Sequence, residues 1–334
     1  MRRALLHAPL ALALILAGCG GSAGTSSQGS HARTPRQHRA TAHTPAAVAV
    51  RLSYRHLYDL PAALRDPASA VLPGATFVFA GGLTAADTSA GEIEIADVHR
   101  VLATGTLPSP QHDAQGTAID GLAYVFGGGN LTQYDHILGV NAATRTVHTV
   151  GRLPALASDV AVTETGGNAY VVGGYDGSAA LNTIVAWHPG AAARVVGHLP
   201  VALRYAAVTA ADGRVLIIGG STPTGASRDV YSFDPASGRT RELAHLRHPI
   251  THAGAASLGP WVYLVGGRGD LDNAQTAAVW AINPATGAIR SAGRLPEPLS
   301  DAGVLTLGRA IVVGGGLTPS GATATGVGEL TPTR

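Results

Sequence analysis

Apolar four-residue runs, each closed by a pair of glycines, recur along this chain between residues 77 and 315. They read FVFAGG, AYVFGG, AYVVGG, VLIIGG, VYLVGG and AIVVGG, with the pairs at Gly81-Gly82, Gly127-Gly128, Gly173-Gly174, Gly219-Gly220, Gly266-Gly267 and Gly314-Gly315. Such runs are β-prone and too short for helices. Their spacings are 46, 46, 46, 47 and 48 residues. A second marker keeps the same step: Leu60-Pro61, Leu107-Pro108, Leu153-Pro154, Leu199-Pro200 and Leu295-Pro296, with Leu246-Arg247 where the proline is replaced. Two markers in phase six times define six repeats of about 47 residues.

Each repeat parses as four short strands. A small-residue strand such as Val160 to Thr163 follows the Leu-Pro, and the second strand ends in the glycine pair. After a loop comes a third strand such as Val230 to Phe233; a turn such as Asp234-Pro235-Ala236-Ser237-Gly238 then leads to the fourth. One such sheet cannot bury both faces, so the units must stack around an axis, and the predicted fold is an all-β, six-bladed propeller. The last unit, Asp301 to Leu330, offers only three strands, while residues 48 to 59 (VAVRLSYRHLYD) precede the first Leu-Pro as one extra strand. This N-terminal strand is predicted to complete the last blade and close the ring, removing two exposed sheet edges.

The segment Val171-Val172-Gly173-Gly174-Tyr175-Asp176-Gly177, with the Leu-Pro between units, resembles the kelch-repeat family over nearly all of residues 48 to 331. The regular Tyr and Trp that the family places after the glycine pair are mostly absent here. Trp187 and Trp280 fall in the third strands of two blades.

Composition narrows the chemistry. All 23 basic residues are Arg, and Cys19 is the only cysteine. An internal disulfide, a cysteine-based zinc site, a Schiff-base lysine and a P-loop are therefore excluded. A net charge of +2 is too small for a nucleic-acid partner. That charge is also unevenly placed: residues 57 to 334 hold 16 Arg against 21 acidic residues, so the ring is acidic and the front of the chain basic.

The front end reads as an export signal over residues 1–18, with Arg2-Arg3 followed by the apolar run Leu10 to Ala17. Leu16-Ala17-Gly18-Cys19 resembles a bacterial lipobox, which implies cleavage before Cys19 and lipidation of its thiol. Residues 19–47 are small, polar and basic and are read as a tether. The expected location is the outer face of the bacterial cytoplasmic membrane, with residues 48–331 as the propeller.

Aligning the repeats on Leu-Pro places Asp66, Asp113, Asp159, Tyr205, His252 and Asp301 in one column at the mouth of the channel. The column before it holds Arg65, His112, Ser158, Arg204, Thr251 and Ser300, and the loops after the glycine pairs add Asn130, Tyr175, Asp176, Arg268, Asp270 and Asp272. One reading is a funnel for a small polar ligand or a cation. The other is that each first-strand Asp or His hydrogen-bonds the backbone of the next blade and fastens blade to blade. Asp270-Leu271-Asp272-Asn273 lacks the spacing of a calcium loop, and neither metal nor cofactor is expected.

Two functions are consistent with these residues. The first is an envelope-anchored binding or scaffold module whose propeller face engages an envelope protein or polymer. The alternative is a sugar-processing enzyme: a sialic-acid-type mutarotase is similar in blade number and export and needs only acid-base groups in the funnel, for which Arg65, Arg204, His112, His252 and Asp113 are candidates. The copper radical oxidases among kelch propellers need a cysteine joined to a tyrosine, which Cys19 cannot supply from the leader.

Overall fold

The computed structural model describes residues 51–269 and 274–333, and all regular structure among them is strand. The export signal, Cys19, the tether and Asp270–Asn273 lie outside the described residues. Six four-stranded antiparallel sheets form the six blades. We label strands a to d from the axis outward. Blade 3 is representative, with strands Ala161–Thr165, Asn168–Val172, Thr183–Trp187 and Arg194–His198 in that order. The inner strands pack against one another in cyclic order, the sixth against the first.

The alternation of the strands explains why the blades stack. Strands b are buried along almost their whole length, as in Trp261–Val265, because both faces meet a neighbour. Strands d alternate or are exposed, as in Thr146–Arg152. Each blade-to-blade seam has its own apolar filling. Tyr124, Phe126 and Trp187 meet edge to face between blades 2 and 3, and Tyr170 meets Phe233 between blades 3 and 4. The seam between blades 4 and 5 is filled mainly by aliphatic side chains, with Trp280 only partly covered.

Closure is as the sequence predicts. Leu52–Asp59 pairs antiparallel with Gly326–Pro332, from Leu52 opposite Pro332 to Asp59 opposite Gly326, and becomes strand d of blade 6. Arg55 bridges to Glu329 at 2.7 Å across this pairing.

The glycine pairs act as clasps between blades. In blade 3, Gly173 and Gly174 both have positive φ, at 62° and 111°, and Gly174 N–H donates to Leu203 C=O of the next blade's connector at 2.8 Å. A Cβ on Gly173 would lie 2.3 Å from that same carbonyl, so only glycine fits. The equivalent bond recurs from Gly82, Gly128, Gly220, Gly267 and Gly316. The sixth clasp corrects the sequence reading: Gly314 ends strand b, and the working pair is Gly315-Gly316, whose second N–H reaches Leu64 C=O at 2.9 Å.

Candidate functional site

Each blade enters its inner strand through one residue at the axis, and these six are Asp66, Asp113, Asp159, Tyr205, His252 and Asp301. All have left-handed backbone, with φ between 51° and 57°. Asp and His tolerate this region better than most non-glycine residues, which suits five of the six positions; Tyr205 carries more strain. Their main chains are hydrogen-bonded in sequence around the axis. Asp159 N–H donates to Asp113 C=O at 2.9 Å, Tyr205 to Asp159 at 3.1 Å, His252 to Tyr205 at 3.2 Å, Asp301 to His252 at 2.9 Å and Asp66 to Asp301 at 2.6 Å. The expectation that these residues hydrogen-bond the backbone of the neighbouring blade is met by their main-chain N–H groups, while their six side chains line a common cavity.

That cavity is about 70 Å³, enough for a few waters or an ion and too small for a sugar ring. It shares Val162 and Val304 with a second cavity of about 280 Å³, whose lining includes the hydroxyls of Thr163, Thr209, Ser257 and Thr306.

The carboxyls crowd one another. Burial, followed by the charge of Asp113, holds Asp66 well above the ordinary carboxylate range, and Asp159 is pushed up to about 6 for the same two reasons although Arg204 opposes it. Both are close enough to Asp113 for a side-chain hydrogen bond once a proton is shared. Asp66 also accepts from Gln115 Nε2 at 3.4 Å, while its Oδ2 is buried with no protein donor. Asp301 accepts from Ser300 Oγ, and burial raises it too.

The other half of the ring is aromatic and cationic. The rings of Tyr205 and His252 stack at 3.9 Å with 22° between planes, and Tyr205 OH donates to Asp113 Oδ2 at 3.3 Å. Arg268 Nη2 donates to His252 Nε2 at 2.9 Å; since a guanidinium only donates, the imidazole is neutral there, and its Nδ1–H donates to Thr251 Oγ1 at 3.0 Å. Burial, then Arg268 and Arg204, keeps His252 well below its ordinary pKa, so its 3.8 Å approach to Asp301 is no ion pair.

Arg65, His112 and Arg204 form an outer tier and do not line the cavity. Arg65 is turned away to Asp87 at 2.6 Å, and His112 Nδ1 meets Ser89 Oγ at 2.8 Å with its Nε2 3.5 Å from Asp113. Arg204 stays at the mouth: its Nε donates to Asp159, and its guanidinium lies 4.4 Å over the Tyr175 ring and 5.3 Å from that of Tyr205. Asp176 caps its own loop by accepting from Ser178 and Ala179, and among the described residues no side-chain bond joins Asn130 to the site.

Gln115 was missed in the sequence, yet it left a trace. It is the single long polar residue in a column otherwise made of Ala68, Ala161, Ala207, Gly254 and Gly303. Away from the axis, the described residues hold one group with metal-ligand spacing, Asp229, Glu242 and His245 on the outer strands of blade 4. Both imidazole nitrogens there already face carboxylates, at 2.9 and 3.0 Å.

Residues 202–239, from the connector into blade 4 to the start of its strand d, match the family model of the Kelch motif. The molecule is a kelch-repeat propeller. Among solved structures it is similar to that of YjhT, with a TM-score of 0.70 and 17% identity over 82% of this chain and 97% of that chain. At this identity the kelch-repeat likeness is one of fold alone, and no curated protein sequence matches the chain.

Proposed function

We propose that this kelch-repeat propeller is a binding module of the bacterial cell envelope, held at the outer face of the cytoplasmic membrane by a lipid on Cys19, whose mouth face engages an envelope protein or polymer. The observation that carries this reading is the axial ring: six strained left-handed residues held by backbone bonds, with their side chains gathered on one cavity. Strain of this kind persists where the surroundings enforce it, and functional sites are where it concentrates. The cavity's size selects the mode of binding. It admits a polar tip, while the body of the ligand rests on Arg204, Tyr175 and Arg268 above it.

A thermal-shift screen of the protein against sugars, divalent ions and envelope polymers tests this. The expected hit stabilises the protein and is lost in both Arg204→Ala and His252→Ala; a hit that survives both variants places binding elsewhere.

One observation favours a second reading, an acid-base enzyme acting on the anomeric hydroxyl of a sugar whose ring stays above the cavity. Burial and the charge of Asp113 push Asp66 toward its protonated form, which puts a carboxylic acid beside a second carboxyl. Exchange between sugar anomers, followed by NMR and abolished by Asp113→Asn, would support turnover in place of binding.

A further inference from the structure

The face opposite the mouth repeats one residue in every blade. Strand b runs toward the mouth and ends in the glycine clasp, strand c runs back, and strand d therefore starts at the far face, on the outer rim of the ring. An arginine stands at that start in all six blades. Arg51, Arg100 and Arg145 immediately precede Leu52–Asp59, Val101–Thr106 and Thr146–Arg152; Arg194 and Arg239 open Arg194–His198 and Arg239–His245; Arg290 is second in Ile289–Arg294. All six are exposed. The mouth ends of the same strands show no such agreement, being Asp59, Thr106, Arg152, His198, His245 and Arg294.

The rim is thus cationic on a ring that is acidic as a whole, with 16 Arg against 21 acidic residues over 57 to 334. Two acids share the rim, and both are engaged locally. Asp97 accepts from the N–H groups of His99 and Arg100 at 2.7 and 2.9 Å, while Asp234 accepts from Ala236 N–H at 3.0 Å and lies 3.4 Å from Arg214. Nearer the axis the same face is mixed: the turns between strands a and b and their flanks bring Asp120, Glu164 and Asp212 together with Arg214 and Arg309. Positive charge on this face is therefore a property of its perimeter.

We infer that this rim docks the molecule, far face down, on an anionic lipid bilayer, with its guanidiniums on lipid phosphates. A guanidinium pairs with two phosphate oxygens at once, and each basic residue near an anionic leaflet adds to the attraction. The arrangement selects a surface over a linear polyanion. A plane meets all six arginines, whereas a chain crossing the ring would meet the rim only where it enters and leaves, and would pass over Asp120, Glu164 and Asp212 between. The inference rests on the envelope reading above only for the presence of a membrane.

The test is flotation of the full chain carrying Cys19→Ser, which cannot be lipidated, with phosphatidylcholine vesicles made with and without phosphatidylglycerol. The readout is the ratio of the two affinities, so any contact indifferent to lipid charge cancels. The parent should prefer the anionic vesicles, and added salt should shrink that preference. Arg100→Gln, Arg194→Gln and Arg290→Gln together, from alternate blades, should cut it by on the order of tenfold. Arg51→Gln, Arg145→Gln and Arg239→Gln, the other three, should do the same, with melting temperature confirming that each variant is folded. Arg152→Gln, Arg228→Gln and Arg294→Gln remove equal charge from the mouth side and should leave the preference in place. A preference that survives both rim variants, or that falls as far in the mouth-side variant, would overturn the proposal. So would linear polyphosphate bound more tightly per phosphate than the vesicles, which would assign the rim to a polymer. None of these variants touches the axial cavity and none carries a lipid, so a failure here leaves the binding-module reading standing, and a failure of that reading leaves this test intact.

Discussion

At the scale of the residue, the axial column matters more for its backbone than for its chemistry. A non-glycine residue in left-handed backbone costs roughly 1 kcal/mol, and aspartate is among the least costly choices. Four of the six positions are Asp, so local preference and the demands of the ring coincide there. A separate buried acid gives a clean test. Glu94, on strand c of blade 1, has Oε2 buried with no donor, and burial with a smaller push from Glu92 raises it to about 7. The folded protein therefore holds this proton more tightly than the unfolded chain, whose carboxyl titrates near 4.5. Stability contributed by the protonated form is present below that value and is lost as pH rises toward 7. Glu94→Gln should accordingly melt higher than the parent at pH 8 by roughly 2–4 °C, with the gap closing at pH 4.5. Parallel melting curves at the two pH values would show that the acid is not so held. The Asp column and its deviants Tyr205 and His252 were legible in the sequence because alignment on a repeat exposes them. The neutral state of His252 was not, since it depends on Arg268 arriving from a loop in the same blade and on a burial that no spacing encodes.

At the scale of the element, the clasp formed by each glycine pair joins strand b to the next blade's connector. Gly173→Ala should destabilise the protein by roughly 2–4 kcal/mol, because its Cβ would meet Leu203 C=O and its φ is positive. Gly190→Ala is the matched control: φ is +83° with nothing within 4 Å of the added carbon, so only the conformational cost of about 1 kcal/mol remains. Equal losses in urea melts of the two variants would mean that the close approach carries no energy. Five pairs were read correctly from the sequence. The sixth slipped by one residue because Gly314-Gly315-Gly316 offers two pairs, and only the bond to Leu64, some 250 residues earlier, distinguishes them. The strand periodicity was readable for the same reason that the clasps were: local pattern repeats, whereas partners contributed by another blade do not.

At the scale of the molecule, the ring depends on its two ends meeting. Removing residues 48–59 strips strand d from blade 6 and bares the edge of Gly326–Pro332. Melting should fall by about 10 °C or more, and aggregation should appear on heating. An unchanged melting temperature would show that closure is not what holds the ring. The antiparallel pairing of Leu52 with Pro332 also fixes a direction. Strands a and c leave the mouth, strands b and d return to it, and so Leu52 and Pro332 both stand on the far face. A label or surface coupled at Leu52 or Pro332 therefore meets the face opposite the funnel and leaves the axial site open to whatever is passed over it.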